Sequence, residues 1–384
     1  MPSVAMIVSN PCDPDPRVEK EGLALIDAGY DVTIHAFDRE EKRELETIVD
    51  NVKILRHRIG KTPSGAPNIV IGARVLFGLR RFRKKVIQNL QENPPDIVHC
   101  HDADTLSVGL SLKSKLGTDL VFDMHDLAHT WAKMEKPYSI IRRLVSTIIE
   151  RRLIRRIKKC DLIVTSSGAV SKSSHPGFRE WVRRRVTDSN VVVVENRPLP
   201  SEKIVPLPEK FTIGYAGKIR EITMFENLFK AVDSWPYEEK PKILIAGYGT
   251  AEKKVDFLIS NSGIEVERIN QFSRLELPSI IGKISVMYAV YPTVRGNILD
   301  GALPTKMFDA AIHGRPSIVN SGCLMHDIAT AENLGISVDP TDVESLLSAL
   351  LQIYEQHCLI KLQRDWTGET NRLIQAYSEL GNGS

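Results

Sequence analysis

The chain has 384 residues, of which 42% are hydrophobic and 26% charged, as expected for a soluble globular protein long enough for two domains. It has no apolar run of about 18 residues, which argues against a membrane-spanning helix, and its first ten residues resemble a buried strand rather than a signal peptide. Five dispersed cysteines without a C-x-x-C pair predict a reducing, cytoplasmic location with neither a disulfide framework nor a zinc site.

Short apolar strands alternate with amphipathic helices in the first half of the chain. The predicted strands are SVAMIVS, DVTIHAF, VKILRH, DIVHCH, LVFDMH, DLIVTS and VVVVEN, and helical stretches such as RVEKEGLALIDAG and TLSVGLSLKSKLG lie between them. This alternation predicts a parallel, doubly wound sheet.

Polar residues follow several of these strands, where ligands bind in open α/β sheets. Arg17 begins the first helix and either faces a phosphate or belongs to a capped loop. His101 and Asp102 follow one strand and His125 follows the next. A strand-end histidine can act as a base or orient a sugar hydroxyl, although a buried histidine is more often structural.

Two strongly basic segments, Arg74–Lys85 and Arg142–Lys159, lie in the first half, where Lys and Arg number 33 against 25 Asp and Glu. The second segment predicts an amphipathic helix with a cationic face. Such a face is either solvated or contacts an anionic membrane or nucleic acid, and the scarcity of aromatic residues favours the membrane. The apolar residues at near-helical spacing are Ile141, Leu144, Val145, Ile148, Ile149, Leu153, Ile154 and Ile157.

The strand–helix pattern restarts after a Pro-rich stretch, with the strands FTIGYAG, KILIAG, VERINQF, VMYAVYP, PSIVN and GISVDP. We therefore predict an α/β fold of two Rossmann-like domains facing each other across a cleft. The predicted divisions are an N-terminal domain at residues 1–196, a linker at 197–208, a C-terminal domain at 209–364, and a closing helix at 365–384 that packs back on the first domain.

Two Gly-rich turns of the second half, GYAGKIRE and IAGYGT, lie where a diphosphate would bind. Lys218 and Arg220 follow the first turn. The sequence has no G-x-x-x-x-G-K-[ST] element, which argues against a P-loop nucleotidase. The glycines concerned are Gly217, Gly247 and Gly249.

The stretch LPTKMFDAAIHGRPSIV predicts a helix with Pro304 at its first position and Gly314 as its stop. Lys306 would add a positive charge beside the free N–H groups of the helix start, a combination suited to phosphate. Asp309, one turn later, could accept hydrogen bonds from ribose hydroxyls. The alternative is a capped surface helix with a Lys–Asp pair.

Two D-x-D patterns, Asp13–Asp15 and Asp102–Asp104, match the short motif of metal-dependent sugar transfer. A three-residue pattern arises by chance in most chains of this length, and one copy contains a rigid proline. We therefore predict no metal site.

Seven segments, in order, resemble the retaining glycosyltransferases of family 4, also called glycosyltransferase group 1, which have the GT-B fold. They include DPRVEKEGLALIDAGYDVTIHA, PDIVHCHDADTL, VFDMHDL, VVVVENRP, LPTKMFDAAIHGRPSIV and HDIATAENLGISVDPTDVESLLSALLQI, and they cover nearly the whole chain. The family's second Glu falls at Asp309 and its first at Gly301. The usual Arg after GYAG is Lys218, and the Lys five residues later is Thr223, so these departures leave the donor open.

The resemblance implies that a sugar moves from a UDP- or GDP-sugar to a hydroxyl acceptor with retained configuration and without metal. The acceptor expected is a lipid-linked glycan of surface polysaccharide or glycoconjugate synthesis, met at the inner face of the membrane. The leaving phosphate would help to take the acceptor proton, while His125 would bind the sugar or the acceptor.

The expected roles divide the candidate residues into three groups. The catalytic candidates are His125, Lys218 and Lys306; the donor-binding candidates are Gly217, Arg220, Gly247, Gly249, Phe272, Pro304, Thr305 and Asp309; the acceptor-binding candidates are Arg17, His101 and Asp102. Two alternatives stay open: an enzyme like UDP-N-acetylglucosamine 2-epimerase, which would need more cleft carboxylates, or a non-catalytic nucleotide- or nucleic-acid-binding protein.

Overall fold

The computed structural model describes residues 1–61, 69–134, 138–171, 173–201, 204–357 and 359–380. The chain divides into two compact units. The first unit contains Met1–Ser166, Phe178–Glu195 and Gly368–Ser384, and the second contains Ser167–Gly177 and Asn196–Thr367. None of the described helices has the length and apolar character needed to cross a membrane.

The first unit is built on an eight-stranded sheet with the order β3-β4-β2-β1-β5-β6-β7-β8. All neighbouring strands are parallel except β3 and β4, which form an antiparallel hairpin. The strands are β1 (Ser3–Ile7), β2 (Asp31–Phe37), β3 (Glu46–Val49), β4 (Val52–His57), β5 (Ile97–His101), β6 (Asp119–Met124), β7 (Leu162–Thr165) and β8 (Val191–Val193).

Helices connect these strands and cover the sheet, which explains why its central strands are apolar at most positions. The first helix is defined by Asp15, whose carboxylate caps it, and by Pro16 at its first position. The helices are α1 (Pro16–Asp27), α2 (Ile69–Glu92), α3 (Asp102–Leu116), α4 (Ala128–Met134), α5 (Ile140–Ile157) and α6 (Phe178–Arg183).

The second unit has a wholly parallel sheet with the order β11-β10-β9-β12-β13-β14. Its strands are β9 (Thr212–Ala216), β10 (Lys242–Ala246), β11 (Val266–Ile269), β12 (Val286–Ala289), β13 (Ser317–Asn320) and β14 (Gly335–Val338). Its helices are α7 (Thr223–Asp233), α8 (Glu252–Ser260), α9 (Leu277–Gly282), α10 (Gly296–Leu299), α11 (Thr305–Ala311), α12 (Leu324–Ala331) and α13 (Val343–Gln356), with a 3-10 turn at Arg274–Glu276. Helices α7 and α13 pack in one apolar core, and α9, α11 and α12 in another.

The last helix, α14 (Trp366–Ser378), belongs to the first unit from Gly368 onward. Residues 381–384 of the predicted closing helix lie outside the described residues. The Tyr377 hydroxyl of α14 lies 2.7 Å from Nδ1 of His99, and the Tyr377 ring meets Tyr30 edge-on. Glu369 accepts a hydrogen bond of 2.9 Å from the backbone N–H of Glu195. These contacts fix the helix at both ends.

Residues Ser167–Gly177 lie with the second unit, although the sequence placed them in the first domain. Asp327 on α12 accounts for this difference. Its carboxylate accepts hydrogen bonds from the Ser173 hydroxyl and from the backbone N–H of His175, and it lies 2.9 Å from Nδ1 of that histidine. These hydrogen bonds join Ser173 and His175, between β7 and α6, to α12 within the second unit.

The predicted linker begins with a residue that is part of a core. Arg197 is fully buried, and its guanidinium donates hydrogen bonds of 2.7 and 2.6 Å to the carboxylate of Glu332. The same guanidinium lies 4.0 Å from the ring centroid of Phe308. The start of the segment is therefore anchored to the second unit; Glu202 and Lys203, later in the predicted linker, lie outside the described residues.

Helix α5 does not have the single apolar stripe that the sequence suggested. Leu153 and Ile157 are buried, whereas Ile141, Leu144 and Ile148 are exposed. The predicted apolar set thus divides between two opposite faces of the helix. In the other basic segment, the side chain of Arg74 lies outside the described residues.

Candidate functional site

A cavity of about 350 Å³ opens in the second unit beside the carboxyl ends of β9 and β12. The start of α11 and the segment after β11 form its other walls. Its volume suits a small organic ligand. It is lined by Ala216, Gly217, Phe272, Arg274, Leu277, Met287, Tyr291, Pro304, Thr305, Lys306 and Asp309.

Among the described residues, Lys306 is one of two cationic residues that line this cavity, and Arg274 is the other. The Nζ of Lys306 lies 3.7 Å from the ring centroid of Tyr215 and 5.2 Å from that of Tyr291. A Cβ built on Gly217 would lie 3.5 Å from the same Nζ, so the glycine turn borders the ammonium directly. No carboxylate of the described residues lies within salt-bridge distance of Lys306, which leaves the ammonium open to an anionic ligand.

Burial sets the protonation of Lys306. Desolvation, and then the nearby Arg295, lower the pKa of the ammonium to about 7, although Asp309 and Glu221 act in the opposite direction. The tyrosine rings favour the cation through their faces but supply no counter-charge. The lowered pKa makes the ammonium easier to deprotonate than that of a free lysine, and an anion would favour its protonated form.

Asp309 lies one turn after Lys306, on the same side of α11, and is almost buried. Its Oδ1 lies 3.6 Å from Nη2 of Arg274, which the sequence did not identify. Helix α11 begins at Thr305. Pro304 therefore lies one residue before the helix, whereas the sequence predicted it at the first helical position. The only feature of the sequence that could have identified Arg274 is its position after a strand, close to Phe272.

Gly247 and Gly249 do not line the cavity, contrary to their predicted donor contact. Gly247 has a φ of 132°, and a Cβ on it would lie 1.8 Å from the carbonyl oxygen of Gly217. A Cβ on Gly249 would lie 2.2 Å from the carbonyl oxygen of Ile219. Both glycines therefore allow the turns after β9 and β10 to touch, and they support the cavity wall from behind.

Lys218 and Arg220 also lie outside the described lining of the cavity. Lys218 is exposed, and its carbonyl accepts a hydrogen bond of 2.7 Å from the Tyr215 hydroxyl. The carbonyl of Arg220 accepts one of 3.2 Å from Thr250. Their backbones therefore shape the turn, and Lys306 is the predicted catalytic cation that the structure brings to the cavity.

Gly301, where the resemblance places the first family glutamate, has no room for a side chain. Its φ is 104°, and a Cβ would lie 2.5 Å from the carbonyl oxygen of Pro176 and 2.6 Å from Cα of Gly177. The missing glutamate is thus a consequence of backbone packing. Any role of that carboxylate falls to other residues.

A second cluster of candidate residues lies in the first unit, around the buried carboxylate of Asp123 on β6. Arg17 donates to it through Nε and Nη2, over 3.0 and 2.9 Å, and through Nη1 to the carbonyl of Val194 over 2.8 Å. His125 Nε2 lies 2.7 Å from Oδ2 of Asp123, and His101 Nδ1 lies 3.4 Å from the same oxygen. The sequence quoted Asp123 but gave it no role.

These contacts change the expected role of two residues. Arg17 is buried and its guanidinium is held by protein oxygens, so the expectation that it faces an acceptor or phosphate is wrong. His101 is also buried and lies against Asp123 and His125, which makes it a positioning residue. His125 and Asp102 are the two predicted residues of this cluster that reach solvent.

His125 is held as a cation. Burial opposes its protonation, but the carboxylates of Asp123 and Asp102 outweigh burial and raise the pKa of the imidazole to about 9. Burial would also raise the pKa of Asp123, yet Arg17 and His125 hold it well below its usual range. A protonated His125 can donate hydrogen bonds but cannot accept a proton.

Four buried side chains of this cluster have the ligand atoms to hold a metal ion. One atom from each of Glu21, His99, His101 and Asp123 lies within 4.8 Å of the others. Arg17 binds both carboxylates of this cluster, since its Nη2 lies 3.1 Å from Glu21 and 2.9 Å from Asp123. The positive charge of the guanidinium would repel a divalent cation bound to the same carboxylates.

The first unit is similar to a known family. Residues 19–196 match the family model described as Glycosyltransferase Family 4, which confirms for this part of the chain the resemblance seen in the sequence. Among curated protein sequences, none matches the chain.

The fold of the whole chain is that of solved GT-B glycosyltransferases. Sucrose-phosphate synthase from Thermosynechococcus elongatus is 14% identical with a TM-score of 0.77, and each chain is covered completely. The lipopolysaccharide outer core galactosyltransferase WaaB is 15% identical with a TM-score of 0.63, over 100% of this chain and 99% of that one. HepE of Anabaena, solved with UDP and glucose, is 12% identical with a TM-score of 0.65, over 100% and 99%.

The predicted fold class is confirmed, and neither alternative function is favoured.

We expect Asp123→Asn to lower the pKa of His125 and to destabilise the first unit by about 3 kcal/mol, because it removes one of the two carboxylates that balance the buried Arg17 guanidinium and leaves Glu21 as the other. In the wild type the folded pKa of His125 lies above that of a free histidine. Its contribution to the free energy of unfolding is therefore complete below about pH 6.5 and lost as the pH rises through 9. NMR titration of His125 and urea unfolding against pH measure both effects. Asp119→Asn, on the same strand, is the control, and an unchanged His125 titration in Asp123→Asn would contradict this account.

We expect Gly301→Ala to lower the free energy of unfolding by more than about 1 kcal/mol, because a Cβ is strained at positive φ and meets the Pro176 carbonyl. Gly296→Ala is the matched control, since nothing lies within 4 Å of a Cβ there. Denaturant unfolding of the two variants decides the point. Equal stabilities would show that the family glutamate is missing for another reason.

Proposed function

We propose that the protein transfers a sugar from a nucleoside diphosphate sugar to a hydroxyl acceptor. The observation that carries the proposal is the second-unit cavity, where Lys306 and Asp309 lie one turn apart on α11 and the Gly217 turn closes on the ammonium. A cation beside a glycine turn suits a diphosphate, and a carboxylate one turn away suits the ribose hydroxyls. The family match of the first unit supports the same reaction class.

The donor is a UDP- or GDP-sugar held by the second unit. Phe272 offers an apolar ring for the base at the wall formed after β11, and Pro304 and Thr305 line the wall beside Lys306. The solved complex of HepE with UDP and glucose supports a uridine donor among proteins of this fold. Arg274 would release Asp309 to the ribose when the donor enters.

Transfer proceeds without metal and with retained configuration. Of the lining residues that the structure describes, Asp309 is the one carboxylate, so the cavity offers too few oxygen ligands for Mg²⁺, whereas Lys306 can neutralise the leaving diphosphate. Asp123 is fully buried and bonded to Arg17 and His125, which makes it unsuitable as a covalent nucleophile. We therefore expect same-face attack, with the leaving phosphate taking the acceptor proton.

The Asp123 cluster of the first unit serves the acceptor side of the reaction. His125, protonated at neutral pH, would donate a hydrogen bond to the transferred sugar or to the acceptor, and Asp102 would accept one. Arg17 and His101 hold His125 in place from behind. Because its pKa is raised to about 9, His125 would act near neutral pH as a hydrogen-bond donor rather than as the general base.

The acceptor we propose is a lipid-linked glycan, which the protein meets from the cytoplasm as a peripheral protein on the inner face of the membrane. The basic segments at Arg74–Lys85 and Arg142–Lys159 support this location, because each Lys or Arg near an anionic surface contributes about 1 kcal/mol. Transfer of radiolabel from a panel of UDP- and GDP-sugars onto lipid extract, compared with soluble glycans, tests the acceptor. Label in the soluble glycans alone would refute the lipid-linked acceptor.

We expect Asp309→Ala to weaken donor binding about 10- to 100-fold, because it removes charged hydrogen bonds of about 1.5–3 kcal/mol. Folding should change little, since the side chain lines a cavity. Calorimetry with UDP- and GDP-sugars measures binding, and excess EDTA should change neither binding nor transfer. Glu226→Ala, on the exposed side of α7, is the control. Unchanged affinity in Asp309→Ala would refute the ribose assignment, and activity lost in EDTA and restored by Mn²⁺ would refute metal-free transfer.

We expect donor affinity to be constant below about pH 7 and to fall up to tenfold per pH unit above it, because the diphosphate binds the protonated form of Lys306. Lys306→Arg should bind with the same affinity from pH 6 to about 8.5, since arginine stays charged throughout. Lys306→Gln should bind weakly at every pH. Calorimetry in two buffers of different ionisation enthalpy would detect the proton taken up by the wild type above pH 7. A wild-type affinity independent of pH would contradict the role of Lys306.

A further inference from the structure

The first half of helix α5 exposes a group of large aliphatic side chains, which we call the α5 apolar face. Monomeric soluble proteins rarely leave such a continuous patch uncovered, and those that do use it for a partner or a membrane. The exposed fractions are 82% for Ile140, 75% for Ile141, 62% for Leu144, 44% for Val145 and 41% for Ile148.

Helical geometry places this face opposite the protein core. Ser146, Leu153 and Ile157, at spacings of seven and four residues, are the buried side chains of α5 and define its inward face. Ile141, Leu144 and Ile148 are spaced three and four residues apart on the opposite side. Burial on the sheet therefore does not explain their apolar character.

The outward face continues into arginines. Positions 151, 152 and 155 extend the spacing of the apolar face by one and two turns, and all three are exposed arginines. Glu150, the one acidic residue of the helix, is engaged by Arg185 at 2.8 Å. The outward face of α5 is thus aliphatic in its first half and cationic in its second.

Helix α2 presents a similar combination on the same side of the sheet, since α2 and α5 both pack against α3. Leu76 and Phe77 are exposed near its start, and the Arg81 guanidinium lies 5.9 Å from the Phe77 ring centroid. Arg80 and Lys84 are exposed one and two turns later. Two helices that both contact α3 therefore carry exposed apolar side chains followed by cations.

An anionic bilayer satisfies both halves of this surface. Its acyl region takes aliphatic side chains, and its phosphates take arginines. Nucleic acid would leave the aliphatic side chains unused. A two-fold contact between this face of two copies would place arginines against arginines or against aliphatic side chains, and neither arrangement gives the cations a counter-charge.

We propose that helix α5 anchors the protein by inserting the α5 apolar face into an anionic membrane, with Arg151, Arg152 and Arg155 on the lipid phosphates. The helix would lie in the plane of the membrane interface, where the apolar face of such a helix is buried to a depth of about 5–10 Å. Attachment is then hydrophobic as well as electrostatic. The inference deepens the membrane location in the proposed function, but insertion itself requires no sugar transfer.

Flotation of the full chain with phosphatidylcholine vesicles, with and without phosphatidylglycerol, tests the proposal at about 0.1 M and about 1 M NaCl. The wild type should bind the anionic vesicles and keep part of that binding at high salt, where screening leaves charge interactions a range of about 3 Å. Ile141→Ser/Leu144→Ser/Ile148→Ser should bind at least tenfold more weakly and lose the salt-resistant part. Arg151→Gln/Arg152→Gln/Arg155→Gln should lose the preference for anionic lipid. Phe257→Ser, at an exposed aromatic residue of the second unit, should bind like the wild type.

Three results would overturn the proposal. The first is a wild type that ignores anionic vesicles at low salt. The second is binding that salt abolishes completely and that the triple serine variant retains, since attachment would then be electrostatic alone. The third is a dimer, detected by sedimentation velocity, that the triple serine variant converts to a monomer. Calorimetric donor binding by the same variant should be unchanged, so that loss of insertion and failure of the donor assignment are separate results.

Discussion

The ion pair between Arg17 and Asp123 organises the first unit. It joins the helix after β1 to the end of β6, and a third hydrogen bond of the guanidinium reaches Val194 after β8. Both side chains are removed from water, so the cost of breaking the pair, about 3–5 kcal/mol, is much larger than that of a surface salt bridge. His125 depends on this pair, because its charge and its ring orientation are set by the same carboxylate. The ion pair therefore fixes both the charge and the orientation of His125, a candidate residue of the site.

The sequence predicted the sheets well because parallel strands covered on both faces are nearly continuous apolar runs. It missed β3, which is short, lies at the sheet edge and exposes Ile48. The available signal was the Asp50–Asn51 pair, whose φ values of 47° and 68° fit a two-residue hairpin turn. Helix α5 shows the opposite error, since near-helical spacing of aliphatic residues predicted one stripe, while a 3.6-residue period distributes them over two faces.

The candidate site was predictable where it is local in the sequence. Lys306 and Asp309 are one turn apart on one helix, so the stretch itself shows that they share a side. The partners of Arg17 could not be deduced in this way, because Asp123 is 106 residues away and becomes a partner only when β1, β5 and β6 are adjacent. Gly217 and Gly247 looked equivalent in the sequence. The structure shows that Gly217 borders the cavity, whereas Gly247 packs against the backbone of Gly217 and supports its turn.

The two sites shift the pKa values of their cations in opposite directions: the pKa of His125 is raised and that of Lys306 is lowered. This difference fits different tasks. Two carboxylates lie beside His125, so its charge is permanent near neutral pH and its position is fixed. Lys306 lies against two aromatic rings and near an arginine, so its amine is only partly protonated until an anion binds. A permanent cation can orient a neutral sugar without attracting a phosphate away from its site, because its carboxylates already balance it. An incompletely charged cation gains most from the diphosphate itself, and it loses that gain when the diphosphate leaves. Donor capture and product release would then depend on the same proton at Lys306.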